Sequence, residues 1–221
     1  EEQDDFAKKS YVKSQNATND GFFNKEIVPV DISKRGETIS INKDEEPFLV
    51  KFDKIEKLKT VFKKDGTITA ANASTINDGA AACVLMSESK AKELNINPIA
   101  KIISHASSAH APEWFTTAPI EAIKKTVTKS DLNIDDIDLF EINEAFSVVT
   151  MAAIKDLSLD PDKVNICGGA VSLGHPIGAS GARIMCTLLN SMSRKKVKTG
   201  LASLCIGGGE ASAMIVENCD L

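Results

Sequence analysis

At 221 residues, 43% hydrophobic and 26% charged, the chain has the composition of a globular protein, with room for one large domain or two modest ones. A formal net charge of -5 and only three arginines (Arg35, Arg183 and Arg194) argue against the basic, arginine-rich face of a nucleic-acid binder. No apolar run reaches the ~20 residues of a membrane span, and five cysteines without a CxxC pair argue against a zinc site and a disulfide scaffold.

Residue 1 is a glutamate, and the chain is expected to begin inside a longer protein. Residues 1–17 predict a helix with Phe6, Tyr11 and Val12 on one side. Short strands are expected at 27–32 and 38–41, then a lysine-rich helix or turn over 52–62. The apolar run 80–86 predicts a buried strand, and Ser87 a cap for a helix over 88–94. From residue 100 a regular alternation begins: strand 100–106, helix 119–129, strand 139–142, helix 144–157, strand 164–167, helix 179–192, and strands 201–206 and 211–216. This βαβαβαββ pattern predicts an α/β unit with parallel crossovers and an antiparallel finish. Helices 144–157 and 179–192 are apolar nearly all round. A helix on one face of a sheet needs a single apolar stripe, so both are expected between two layers, with the second cover coming from outside the chain. No acidic residue falls between Asp162 and Glu210, so this segment is positive; its lysine cluster at 194–198 reads as a solvated face.

Three signals carry chemistry. Asn143-Glu144-Ala145-Phe146 sits at a strand-to-helix junction, where Asn143 is either a helix cap or a side-chain amide aimed into a crevice. The glycine-rich run from Gly168 to Gly181 holds Gly174-His175-Pro176 ahead of an apolar helix. A neutral imidazole there can donate to an oxyanion or take a proton from a thiol. The run lacks the spacing of a phosphate loop. Cys205-Ile206-Gly207-Gly208-Gly209 puts a thiol at a strand end, followed by main-chain N–H groups that side chains do not shield. All three follow strand C-termini, which converge on one edge of a doubly wound sheet.

These motifs, with Gly66-Thr67-Ile68-Thr69-Ala70-Ala71-Asn72-Ala73-Ser74 and Asn77-Asp78-Gly79-Ala80-Ala81-Ala82, resemble the signatures of the thiolase family, and within it the biosynthetic, acetoacetyl-CoA-forming type. The resemblance covers essentially the whole chain. It implies an α/β thiolase fold, layered αβαβα. Residues 1–75 would end the CoA-binding loop domain, 76–97 would close the first half, and 98–221 would form the second βαβαβαββ half. The implied activity is an acyltransferase that joins two acetyl-CoA into acetoacetyl-CoA through an acyl-cysteine.

Site roles follow from the same resemblance. Cys205 matches the cysteine that moves the substrate α-proton. His175 matches the histidine that activates the nucleophile, Asn143 the asparagine that holds an oxyanion-hole water, and Gly207 an oxyanion N–H donor. Ala145 and Phe146 would line the acetyl pocket, Ser74 would meet the pantetheine arm, and Lys51 and Lys54 the nucleotide. Ala70, Ala71, Ala73 and Val171 match main-chain potassium ligands, with the accompanying tyrosine expected upstream of residue 1. No other cofactor is implied. The implied partners are acetyl-CoA and acetoacetyl-CoA, and a homodimer or homotetramer, with neither nucleic acid nor membrane, in the cytoplasm or the mitochondrion. The family's nucleophilic cysteine has no counterpart among Cys83, Cys167, Cys186 and Cys219, so the chain alone is expected to be inactive. A non-catalytic acyl-CoA or lipid binder is the alternative; the presence of Asn143, His175 and Cys205 weighs against it.

Overall fold

A computed structural model describes residues 1–34 and 36–220; the last residue of the expected 98–221 unit lies outside the described residues. Helix α1 (Glu2–Asn19) opens on Glu2, Asp4 and Asp5, whose charges suit a helix N-terminus, and ends before Gly21 in a left-handed turn. Its buried stripe is Ala7, Ser10, Tyr11, Ser14 and Ala17, while Phe6 is half-buried and Val12 exposed. The expected Phe6–Tyr11–Val12 face is therefore displaced toward small residues. The reason is Gly168: a Cβ there would come within 2.6 Å of the Ser10 carbonyl oxygen, so α1 is packed backbone to backbone. Strands β1 (Val30–Lys34) and β2 (Glu37–Ile41) form an exposed antiparallel hairpin. Two short 3-10 turns, Glu46–Phe48 and Phe52–Lys57, follow.

The strand expected at 80–86 does not form. Residues 77–87 hold no regular structure, Cys83 is exposed, and Val84 and Leu85 are 87% and 75% exposed. β-propensity and apolarity need a partner ladder to make a strand, and none of the described residues pairs with this segment. Helix α2 (Glu88–Glu93) begins as expected, with Ser87 Oγ accepting the Lys90 N–H at 3.2 Å.

The remaining elements build one four-stranded sheet. In chain order they are β3 (Ala100–Ala109), α3 (Ala118–Thr128), β4 (Leu139–Ile142), α4 (Ser147–Asp156), the single-turn α5 (Ala170–Leu173), α6 (Ser180–Lys195), β5 (Thr199–Ile206) and β6 (Glu210–Asn218). The order across the sheet is β3-β6-β5-β4, with β4–β5 parallel and the other pairs antiparallel. The expected strand at 164–167 shrinks to a bridge between Phe140 and Val164. Asn165 is left-handed (φ 45°) and turns the chain away; its side-chain amide takes over the ladder, accepting from Ile142 N and donating to Ile142 O, both at 2.8 Å.

Alternating residues of β5 divide the core. Leu201 faces Ile123 of α3 and Ala153 of α4, whereas Ala202 faces Ile184, Leu188 and Met192 of α6. A Cβ at Gly200 would meet Met192 Sδ at 2.4 Å and Leu188 Cδ1 at 2.9 Å, so glycine lets α6 lie close on the sheet. The two apolar helices find more cover within the chain than expected: α1 packs on α4, and the Phe22–Lys25 turn packs on α6. None of the described helices is long and apolar enough to cross a membrane.

Candidate active site

Helix α4 starts at Ser147 with Phe146 as its cap residue, three residues later than the periodicity suggests. Asn143 is thus not the helix cap. Its N–H bonds to Ser203 O at 2.9 Å, which aligns the end of β4 with β5 beside Cys205. Its side chain, 1% exposed, turns toward the glycine-rich loop, where Nδ2 donates to His175 Nε2 at 3.3 Å. Asn143 Oδ1 is buried without a partner among the described residues, an acceptor open to a water or a substrate donor.

The second imidazole nitrogen settles the tautomer. His175 Nδ1 lies 2.5 Å from Ser180 Oγ, and Ser180 Oγ also reaches Pro176 O at 3.0 Å. A hydroxyl has one proton, so both contacts are hydrogen bonds when Ser180 donates to Pro176 O and Nδ1–H donates to Ser180. Nε2 then carries the lone pair and accepts from Asn143. Burial, and secondarily the Arg183 charge, hold the imidazole pKa below its ordinary value, so the neutral base is favoured near pH 7.

Cys205, 8% exposed, ends the buried part of β5 and packs with Ala145, Val149, Phe115 and Phe146. Burial pushes its thiol up to about 11. In the following turn, Gly209 N bonds to Ile206 O at 3.2 Å. Gly209 has φ 95°, and a Cβ there would strike His110 O at 2.3 Å. Gly207 is exposed and its N–H bonds to no described residue.

The segment 74–77 ties the two loops together. Ser74 donates to Ala145 O through both N–H (3.1 Å) and Oγ (3.0 Å). The His175 N–H goes to Thr75 O at 3.0 Å and to Asn77 Oδ1 at 3.1 Å. An open recess of about 410 Å³ lies between Asn77, Gly79 and Ala81 on one side and Pro176, Ile177 and Ala182 on the other. Phe146 also makes edge contacts with Phe115 and Phe62, at 6.1 and 6.0 Å between ring centroids. Lys51 and Lys54 lie exposed on the 3-10 turn near α1 and make no hydrogen bond to this cluster.

The main-chain oxygens of Ala70, Ala71 and Ala73 accept no hydrogen bond from described residues, and His175 N bypasses Val171 O for Thr75 O. Unpaired carbonyl oxygens suit an alkali cation, and no carboxylate, thiol or imidazole cluster fit for a metal occurs among the described residues. Tyr11, the only tyrosine, packs against the buried Val171. Sequence reasoning gave no site role to Tyr11, Asn77, Ser180 or Phe115, whose contacts with Val171, His175 and Phe146 form only in the folded chain.

The comparisons decide the family. Residues 1–89 match the model of the thiolase N-terminal domain, and residues 96–218 that of the thiolase C-terminal domain. The chain belongs to the thiolase family.

It is 52% identical over 219 residues to the mitochondrial acetyl-CoA acetyltransferase of Bos taurus, covering 98% of this chain and 51% of that protein. It is 49% identical over 220 residues to the cytosolic enzyme of Gibberella zeae, covering 99% of this chain and 55% of that one. Its fold superposes on the Bacillus anthracis acetyl-CoA acetyltransferase with a TM-score of 0.95 at 43% identity, and on an Ascaris suum thiolase solved with coenzyme A with 0.91 at 48%. In each case 98% of this chain covers 55% of the other. The thiolase chain thus spans about half the length of the relatives it matches.

Proposed function

We propose that this thiolase chain carries the proton-transfer and oxyanion half of an acetyl-CoA C-acetyltransferase site, and that the acyl-accepting cysteine lies outside residues 1–221. The observation that carries the reading is the Asn143 Nδ2–His175 Nε2 hydrogen bond (3.3 Å), formed where β4 runs beside β5 and its Cys205.

In condensation, Cys205 as thiolate removes a methyl proton from acetyl-CoA. The carbanion attacks the acyl-cysteine carbonyl, the C–S bond breaks and acetoacetyl-CoA leaves, and the departing cysteine thiolate takes up, through His175, the proton that Cys205 removed, which returns Cys205 to thiolate. In thiolysis the steps reverse, and Cys205 returns its proton to the departing acetyl-CoA carbon. A thiol near 11 is protonated at neutral pH and suits that acid role. The lone pair on His175 Nε2 suits it to take a proton from a thiol. Asn143 Oδ1 holds a water that donates to the thioester oxyanion, and the Gly207 N–H donates to the acyl oxyanion. Ala145 and Phe146 bound the acyl pocket, Ser74 lies on the pantetheine path, and Lys51 and Lys54 meet the nucleotide phosphates. A potassium ion would rest on the carbonyls of Ala70, Ala71, Ala73 and Val171. Its charge would stiffen the 70–73 turn against the pantetheine arm.

Residues 1–75, 76–97 and 98–221 are assigned to the loop domain, the close of the first half and the second half. The whole protein is a homodimer or homotetramer of the cytoplasm or mitochondrion. The test is acetoacetyl-CoA thiolysis by the 221-residue chain beside the product of the complete reading frame. Activity in the longer protein alone, abolished by Cys205→Ala, is expected. Activity in the short chain would overturn the placement of the nucleophile, and inactivity in both would favour a non-catalytic acyl-CoA binder.

A further inference from the structure

We propose that Glu144 is a positioning residue of this site: its carboxylate joins the β4–α4 junction, the glycine-rich turn and α1 into one unit, and that unit sets the approach of Asn143 to His175. The inference rests on the thiolase reading of Asn143, His175 and Cys205.

Glu144 is 1% exposed, and its carboxylate is surrounded by donors. Asn165 Nδ2 donates to Oε1 at 2.9 Å, Ser10 Oγ to Oε2 at 2.7 Å, and Val171 N to Oε2 at 3.2 Å. Ser10 Oγ accepts in turn from Gly169 N at 3.1 Å and lies 2.9 Å from Ser172 Oγ. Burial alone raises the Glu144 pKa, and the bonds from Asn165, Ser10 and Val171 oppose that shift.

The geometry makes this carboxylate a link between the two catalytic loops. Glu144 is the chain neighbour of Asn143. Val171 and Gly169 belong to the turn that leads through Gly174 to His175. A Cβ on Gly169 would fall 2.3 Å from Glu144 Cδ, so the turn is glycine because the carboxylate lies beneath it. Asn165 binds Glu144 and the Ile142 main chain with the same amide, which fixes the end of β4. If the carboxylate is lost, the two loops remain joined by the 74–77 segment and the Asn143–His175 bond but lose this buried anchor.

The experiment uses the product of the complete reading frame. Glu144→Gln keeps the shape but turns one of the two accepting oxygens into a donor that faces Asn165 or the Ser10–Val171 pair, whereas Ser10→Ala removes one donor without a clash. The expected result for Glu144→Gln is a cooperatively folded protein with kcat for acetoacetyl-CoA thiolysis lowered about ten-fold or more, and KM changed far less. The acidic limb of its pH profile should move, since the His175 environment changes. Ser10→Ala should lower kcat in the same sense by less, and it decides the matter if Glu144→Gln does not fold. Parental kcat and pH profile in Glu144→Gln, or in Ser10→Ala if that decides, would overturn the inference. So would a loss of thermal stability with the pH profile unmoved. Full activity in Cys205→Ala would instead remove the thiolase reading and this inference with it, whereas loss in Cys205→Ala with normal Glu144→Gln sinks the inference alone.

Discussion

Single residues here are tuned by burial more than by charge. Glu141 on β4 is 2% exposed, and burial pushes its carboxyl up to about 8, with Arg183 pulling the other way. The folded state therefore binds this proton more tightly than the unfolded chain, whose carboxyl titrates near the ordinary glutamate value of 4.5. Its contribution is favourable below that value and is lost as pH rises toward 8. Glu141→Gln should accordingly raise the unfolding midpoint at pH 8 relative to the parent, and do so much less at pH 5, in paired denaturant titrations. Burial shifts His175 the opposite way, below the ordinary imidazole value of 6.5. If it is the base, kcat/KM for thiolysis should stay level down to about that pH and fall only below it. A fall beginning near pH 8 would assign the limb to another group.

Turns and helices show how far one residue can matter to its element. The β5–β6 turn needs Gly209, both for its left-handed φ and for its closeness to His110 O. Gly209→Ala should destabilise by ~1–3 kcal/mol and displace the Gly207 N–H, read as a lower urea midpoint together with a lower kcat. On the other side of the sheet Leu188 is fully buried between α6 and β5. Leu188→Ala should cost ~2–5 kcal/mol, measured by the same titration, because the rigid strand beneath α6 cannot collapse into the space. The periodicity of 139–142 and the cap at Ser87 were legible because their causes are local. The strand at 164–167 was not, because one left-handed asparagine replaces main-chain pairing by side-chain pairing.

At the scale of the whole molecule, the apolar segment 76–86 and its neighbours stand out. Ile76, Val84, Leu85 and Ile99 are all more than half exposed, on a chain whose sheet is otherwise covered by α3 and α6. Large apolar side chains left exposed in this way favour association in water. The purified 221-residue chain should self-associate in light scattering, and the product of the complete reading frame should give a defined dimer or tetramer. A monodisperse 23.7 kDa species from the short chain would contradict this.

The sequence by itself determined the order of the candidate site residues Asn143, His175 and Cys205, the first and last of which stand at the ends of β4 and β5. It also determined the family, since glycine, histidine and cysteine at those spacings are local requirements of turns and reacting groups. Only the tertiary structure decided which of them meet. Asn143 and His175 are 32 residues apart, Ser10 and Glu144 134 apart, and Tyr11 packs against Val171 from the far end of the chain. It likewise decided that 80–86 is not a strand here and that α1 covers α4. The physical reason is common to all of these: a ladder, a buried carboxylate and a packed helix face each require a partner, and the partner's position is a property of the folded chain rather than of any window of sequence.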